Sequence, residues 1–173
     1  MPRKVRATPS PTGWRRALAR APIRLYRWHL GALMGGRMLL LTHTGRTSGR
    51  PRQVVLEITG RDPATGAYRL ASGFGPASQW YRNIRHTPRV TIQVGRRRTA
   101  ATARPMTPEE SGRAMAEYAP RHPRTARRLM GICGIETDGT AADYYLVGRD
   151  HIPFVEITPD GAEPARPAGH GGG

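Results

Sequence analysis

Two apolar runs of strand length, Met38–Leu41 and Val54–Ile58, flank the eleven residues Thr42-His-Thr-Gly-Arg-Thr-Ser-Gly-Arg-Pro-Arg52. Runs of four or five mostly apolar residues ended by turn formers match strands better than helices. Gly45 and Gly49 can take the positive φ that reverses a chain, and so short a connection joins antiparallel neighbours. The same spacing recurs. Gln53–Thr59 and Ala67–Ser72 enclose the turn Gly60-Arg-Asp-Pro-Ala-Thr-Gly66, and Val90–Val94 and Thr99–Arg104 enclose Gly95-Arg-Arg-Arg98. His151–Ile157 supplies a last strand, with a tyrosine pair before it in Asp143–Val147. No βαβ rhythm appears, so about six short antiparallel strands close into a small barrel with appended helices.

The first of these turns has distinctive chemistry. It carries hydroxyls at Thr44, Thr47 and Ser48 and guanidinium groups at Arg46, Arg50 and Arg52. Backbone N–H groups, hydroxyls and Arg forks around one concavity suit phosphate or carboxylate. A solvated hairpin tip would have the same composition, and both readings stand at this level. The turn is not a P-loop, since no Gly-Lys-Ser/Thr ending follows four intervening residues, and no GxGxxG follows a strand.

The helices are read from their boundaries. Trp14–Met34 repeats apolar residues every three to four positions with arginines between, and Pro22 divides it into two pieces. Trp14, Tyr26 and Trp28 opposite those arginines suit either packing on the barrel or contact with an anionic membrane. Ser78 is placed to cap Gln79–Arg85, and Thr107-Pro-Glu-Glu110 opens another helix with a capping box. A further helix covers roughly Arg124–Ile132 and ends at Gly131 or Gly134. Residues 1–13 read as a disordered basic arm and 159–173 as a disordered Gly/Pro/Ala tail, leaving one domain over 14–158.

Charge sharpens the reading. The net charge is +16 in 173 residues, and no acidic residue precedes Glu57, so an anionic partner is expected: nucleic acid, a membrane surface or a charged small ligand. Lys4 is the only lysine, so part of this bias reflects codon composition rather than function. Cys133 is the single cysteine, which excludes an internal disulfide and a multi-cysteine metal site, and no His/Asp/Glu spacing suggests a metal. With no leader pattern, a cytoplasmic location is expected, with peripheral contact at the inner face of the cell membrane through the N-terminal basic helix.

Three separated motifs carry a family resemblance. Thr44-Gly-Arg-Thr-Ser-Gly-Arg-Pro-Arg52, then Ala71-Ser72-Gly73, then Gln79-Trp80-Tyr81-Arg-Asn83 running on to Pro88-Arg-Val90 resemble the deazaflavin-dependent nitroreductase family in order and spacing, from about residue 25 to 158. The resemblance implies a split β-barrel, mainly β in an α+β arrangement, with two to three helices besides the N-terminal one. It also implies coenzyme F420, whose tail carries a phosphodiester and a polyglutamate chain. Arg46, Thr47 and Ser48 would then hold the phosphate, with Gly49 shaping the turn and Arg50 and Arg52 beside it. Gln53, Val54 and Val55 would run along the ligand. Ala71, Ser72 and Gly73 would meet the deazaflavin, and Trp80, Tyr81 and Asn83 would close its far side. Several members carry lysine where Thr47 and Gly73 stand, and Arg50 is placed to compensate for the first.

The implied activity is that of a reductase passing hydride from reduced F420 to a quinone, nitro or unsaturated acceptor. The organic chemistry then belongs to the coenzyme. Ser72, Tyr144 and Tyr145 are the candidate donors to the developing negative charge. Plain packing is the competing reading for both tyrosines. FMN or haem is the nearest alternative ligand for such a barrel. A nucleic-acid module is a more distant one, and it would require Trp80 and Tyr81 to be exposed stacking platforms.

Overall fold

The structure, a computed structural model, describes residues 2–4 and 36–161. The N-terminal helix expected over 14–34 and the tail beyond Gly161 lie outside the described residues. Eight strands are present among the described residues: β1 (Arg3–Lys4), β2 (Met38–Thr44), β3 (Pro51–Arg61), β4 (Tyr68–Ala71), β5 (Arg89–Val94), β6 (Arg97–Pro105), β7 (Ile135–Glu136) and β8 (Phe154–Pro159). The helices are α1 (Gln79–His86), α2 (Pro108–Arg121), α3 (Pro123–Cys133) and α4 (Ala141–Asp150).

Six strands close into a barrel in the order β2-β3-β4-β8-β6-β5, with every pair antiparallel. Closure follows from alternation along each strand. Leu39 and Leu41 on β2, Val90 and Ile92 on β5, and Ala101 and Ala103 on β6 all turn inward to one buried core. Helix α1 seals one end of it. Trp80, Tyr81 and Ile84 join the barrel core, each contributing about 1.5–3 kcal/mol by the usual measure of apolar burial. The helix stops at Thr87, whose extended conformation is what a following proline demands.

A second core lies outside the barrel, where α2, α3 and α4 bury Met115, Tyr118, Met130, Tyr144 and Val147 against Phe154. Helices α2 and α4 cross closely because Gly148 has no side chain: a Cβ there would stand 2.3 Å from the carbonyl oxygen of Ser111. Ser111 in turn accepts a 3.0 Å bond from the buried N–H of Phe154, tying α2 to the barrel wall. Arg104 bridges Glu110 at 2.9 Å and Glu156 at 3.3 Å across the same seam.

Four expectations are corrected. Among the described residues there are four α-helices where two or three were expected besides the N-terminal one, because Thr140 caps a helix through its 3.1 Å bond from Asp143 N and so draws Asp143–Val147 into α4. Ser78 precedes α1 but does not cap it with its side chain. Its hydroxyl lies 2.9 Å from Ser72 Oγ instead. Arg3 and Lys4, read as part of a disordered arm, pair with Glu136 and Ile135. Strand β8 runs on to Pro159, and Asp160 bonds Ala100 O through its backbone N–H and pairs with Arg89. The capping box at Thr107 and Glu110 and the left-handed cap at Gly134 agree with the sequence reading.

Candidate functional site

The β2–β3 ladder ends at the pair Thr44 and Pro51, leaving residues 45–50 as the hairpin tip. Gly45 N donates to Arg50 O at 2.9 Å and Gly49 N to Gly45 O at 2.7 Å. Gly49 sits at φ +63, a left-handed conformation that costs other residues roughly 1–2 kcal/mol. This folding leaves the amides of Thr47 and Ser48 without an acceptor among the described residues, at a tip whose side chains are exposed.

The tip is fastened to α1 by Arg46. Its backbone N–H donates to Asn83 Oδ1 at 3.1 Å, and its Nη1 donates to the same oxygen at 3.0 Å and to Gln79 Oε1 at 2.9 Å. With Oδ1 occupied by two donors, the Asn83 amide nitrogen faces His43 Nδ1 at 3.1 Å. His43 is buried, and desolvation lowers its pKa to about 4, with the charge of Arg52 adding to the effect and a hydrogen bond to the Thr44 backbone opposing it. The imidazole is therefore neutral at pH 7, and Nδ1 accepts from Asn83 while the ring proton sits on Nε2. Asn83 thus commits its oxygen and one amide hydrogen within the protein and locks the loop to the barrel. The sequence marks neither His43 nor Gln79 as a site residue, because their partners lie 33 or more positions away in the chain, on another element.

The arginines of this loop contrast with five outside it. Arg37, Arg69, Arg89, Arg104 and Arg149 each pair with a carboxylate. Arg46 holds only neutral amides, and Arg50 and Arg52 have no carboxylate partner among the described residues. Gln53, exposed, donates to Thr42 Oγ1 at 3.3 Å, and Val54 and Val55 are half-buried behind it.

The second motif continues from β4. Ala71 pairs with Phe154, and Ser72 N donates to Pro153 O at 2.9 Å. Ser72 is fully buried, its Oγ 2.8 Å from Gly75 O and 2.9 Å from Ser78 Oγ, so the hydroxyl is engaged in holding the loop 72–78. Gly73 is half-buried, and a Cβ there would come within 3.0 Å of Leu129, so α3 fills the space into which a longer side chain would project. Phe74, absent from the sequence-derived site, is 49% exposed, the one large hydrophobic so exposed among the described residues.

The remaining candidates sit deeper. Trp80 and Tyr81 keep 8% and 7% of their surface and meet edge to face at 6.1 Å. Neither offers the open ring that base stacking needs. Tyr144 is buried in the helical core, and Tyr145 is half-buried with its ring against Gly112. Their hydroxyls make no hydrogen bond among the described residues. No three His, Cys, Asp or Glu side chains among the described residues are grouped to hold a metal ion, and no described helix is long and apolar enough to cross a membrane.

A closed antiparallel barrel sealed at one end by a short helix, with an uncompensated cationic hairpin at that end, defines a split-barrel protein with an anion-suited edge. The chain belongs to the F420H2-dependent quinone reductase family, whose model matches residues 18–132, and it is accordingly an oxidoreductase. Solved structures of similar fold include Atu2129 of Agrobacterium tumefaciens, of unknown function, at TM-score 0.52 and 16% identity over 91% of this chain and 60% of that one. The heme storage protein HutZ of Vibrio cholerae follows at TM-score 0.50 and 12% identity, over 80% of this chain and 89% of that one. An F420-H2 dependent reductase, FDR-A, is similar at TM-score 0.48 and 24% identity over 70% of this chain and 93% of its own. Comparison with curated proteins finds no match.

Proposed function

We propose that the protein binds reduced F420 by its acidic tail at the β2–β3 tip and passes hydride to a quinone, nitro or otherwise unsaturated acceptor. The observation that carries this reading is the set of loop arginines without counter-ions. Arg50 and Arg52, with the free amides of Thr47 and Ser48, the Thr47 hydroxyl and the Ser48 hydroxyl, which accepts from Arg50 N at 3.4 Å and keeps its proton to donate, match a phosphodiester and a run of carboxylates, while Arg46 is already held by Gln79 and Asn83. The donor set therefore fits the coenzyme.

Bound reduced F420 supplies a hydride from C5 of its deazaflavin. The chain's own residues bind and orient. Arg50 and Arg52 take the anionic tail, and Ala71 and Gly73 present backbone to the ring. Ser72 holds that backbone in place through its contacts with Gly75 and Ser78. Tyr145, the more open of the two tyrosines, is the donor we assign to the negative charge developing on the acceptor.

Purified protein titrated with F420 and, separately, with FMN should show saturable fluorescence quenching only for the deazaflavin. Reduced F420 should then be reoxidised, by absorbance, with at least one member of a panel of quinones, enones and nitroaromatics. Tight FMN binding without F420 binding would overturn the reading.

A further inference from the structure

The barrel end opposite the cationic hairpin carries its own unexplained charge. Strand β3 reaches that end out of regular register: Ile58 pairs with Leu70, but Gly60 pairs with Arg69 and Arg61 with Tyr68. Antiparallel partners share a face, and Tyr68 and Leu70 belong to the barrel interior, so the bulge turns Arg61 inward. On β6 the interior residues Ala101 and Ala103 put Thr99 and Arg97 on the same inward row. Ile92 and Val94 on β5 form the floor beneath.

These six residues, Arg61, Tyr68, Ile92, Val94, Arg97 and Thr99, together with Pro159 and Gly161, line a cavity of about 320 Å³, near the lower end of the roughly 300–1,000 Å³ typical of ligand pockets. Arg61 lies nine positions beyond Arg52 on β3, so the cavity lies about 30 Å along the strand from the hairpin tip. Arg61 is held there by a 3.0 Å bond from Nε to Gly66 O, with its guanidinium 5.2 Å from the Tyr68 ring centre. The Nη groups of Arg61 and the guanidinium of Arg97 have no acceptor among the described residues. No Asp or Glu lines the cavity among the described residues, and Arg96 and Arg98 flank Arg97 at the exposed β5–β6 turn. Arg61 and Arg97, exposed at the mouth above an apolar floor and with no counter-ion among the described residues, suit an anion with an apolar body.

We propose that this barrel mouth is a second binding site, separate from the coenzyme loop, for a small organic carboxylate. The carboxylate lies between Arg61 and Arg97, and the hydrocarbon or aromatic body rests on Ile92, Val94 and the Tyr68 ring. Calorimetry and heteronuclear NMR with octanoate, octanol and acetate test it on the full-length protein. Octanoate binds with 1:1 saturation and shifts resonances of Ile92, Val94 and Tyr68, while octanol lacks the charge and acetate lacks the body, each binding about tenfold more weakly or worse. Arg61→Ala and Arg97→Ala each weaken octanoate about tenfold and leave F420 affinity unchanged. Val94→Trp, which fills the floor, removes octanoate binding while the F420 titration and thermal melt show the fold intact. Equal affinity for octanol, octanoate binding indifferent to both arginines, or no saturation in the millimolar range overturns the proposal.

Discussion

Asn83→Leu is the most informative perturbation of the coenzyme edge. Leucine keeps the branching and heavy-atom count of asparagine but has no polar atom, so it deletes the two bonds from Arg46 and the one to His43 together. Arg46 is exposed and keeps Gln79, so its guanidinium loses little. The buried imidazole loses its partner, and an unsatisfied buried acceptor costs about 1–3 kcal/mol. With the half-buried Arg46 N–H added, the variant is less stable by about 2–4 kcal/mol, a Tm decrease of roughly 10 °C for a chain of this size. It stays folded, because typical stabilities are about 5–15 kcal/mol. Residues 45–50 are then no longer anchored to α1. If one or two of them must be ordered again on binding, at about 1–2 kcal/mol each, the Kd for F420 rises tenfold or more. Thermal melts by circular dichroism and fluorescence titration with F420 measure the two effects separately. A lowered Tm with a Kd within twofold of the parent would refute the reasoning: Asn83 would then serve only the core, and α1 would have no part in presenting the loop.

Arg50→Glu combined with Arg52→Glu leaves the Tm within about 1 °C, since both side chains are exposed and without carboxylate partners, but raises the Kd for F420 by at least tenfold at low salt. An unchanged titration would remove the anion-binding role of the hairpin. Gly148→Ala pushes a methyl to 2.3 Å from Ser111 O, a backbone atom that cannot swing aside, so urea unfolding shows a loss of about 3 kcal/mol with coenzyme affinity little changed in the folded fraction. His43 makes stability fall with acid: its folded pKa is about 4 against 6.5 unfolded, so between those values the unfolded chain binds the extra proton. Stability is full above about pH 6.5 and declines by up to about 3 kcal/mol as the pH falls toward 4, and His43→Gln flattens that slope in urea titrations across the range.

Much of the barrel was legible before any coordinates, for local reasons. Short Gly-containing turns between apolar runs can only return the chain antiparallel, and β2 with β3, β3 with β4 and β5 with β6 pair accordingly. The Thr107 capping box is equally local, three residues from donor to acceptor. Helix α4 was misread because the segment was judged by its tyrosines rather than by the cap at Thr140. Ser78 was misread because its hydroxyl prefers Ser72, a choice set by how the loop 72–78 folds back.

What the amino-acid order determined alone was the hairpin sequence, the cationic tip and the glycines that shape it, since each depends on residues within a few positions of one another. Tertiary structure alone decided which arginines are spent and which are free. Arg104 finds Glu156 on the neighbouring strand, Arg46 finds Asn83 on a sealing helix, and a single inserted residue in β3 turns Arg61 toward the far mouth. Ion pairing and strand register are set by distance in space, and strand closure brings residues dozens of positions apart into contact while leaving Arg50 and Arg52 facing solvent.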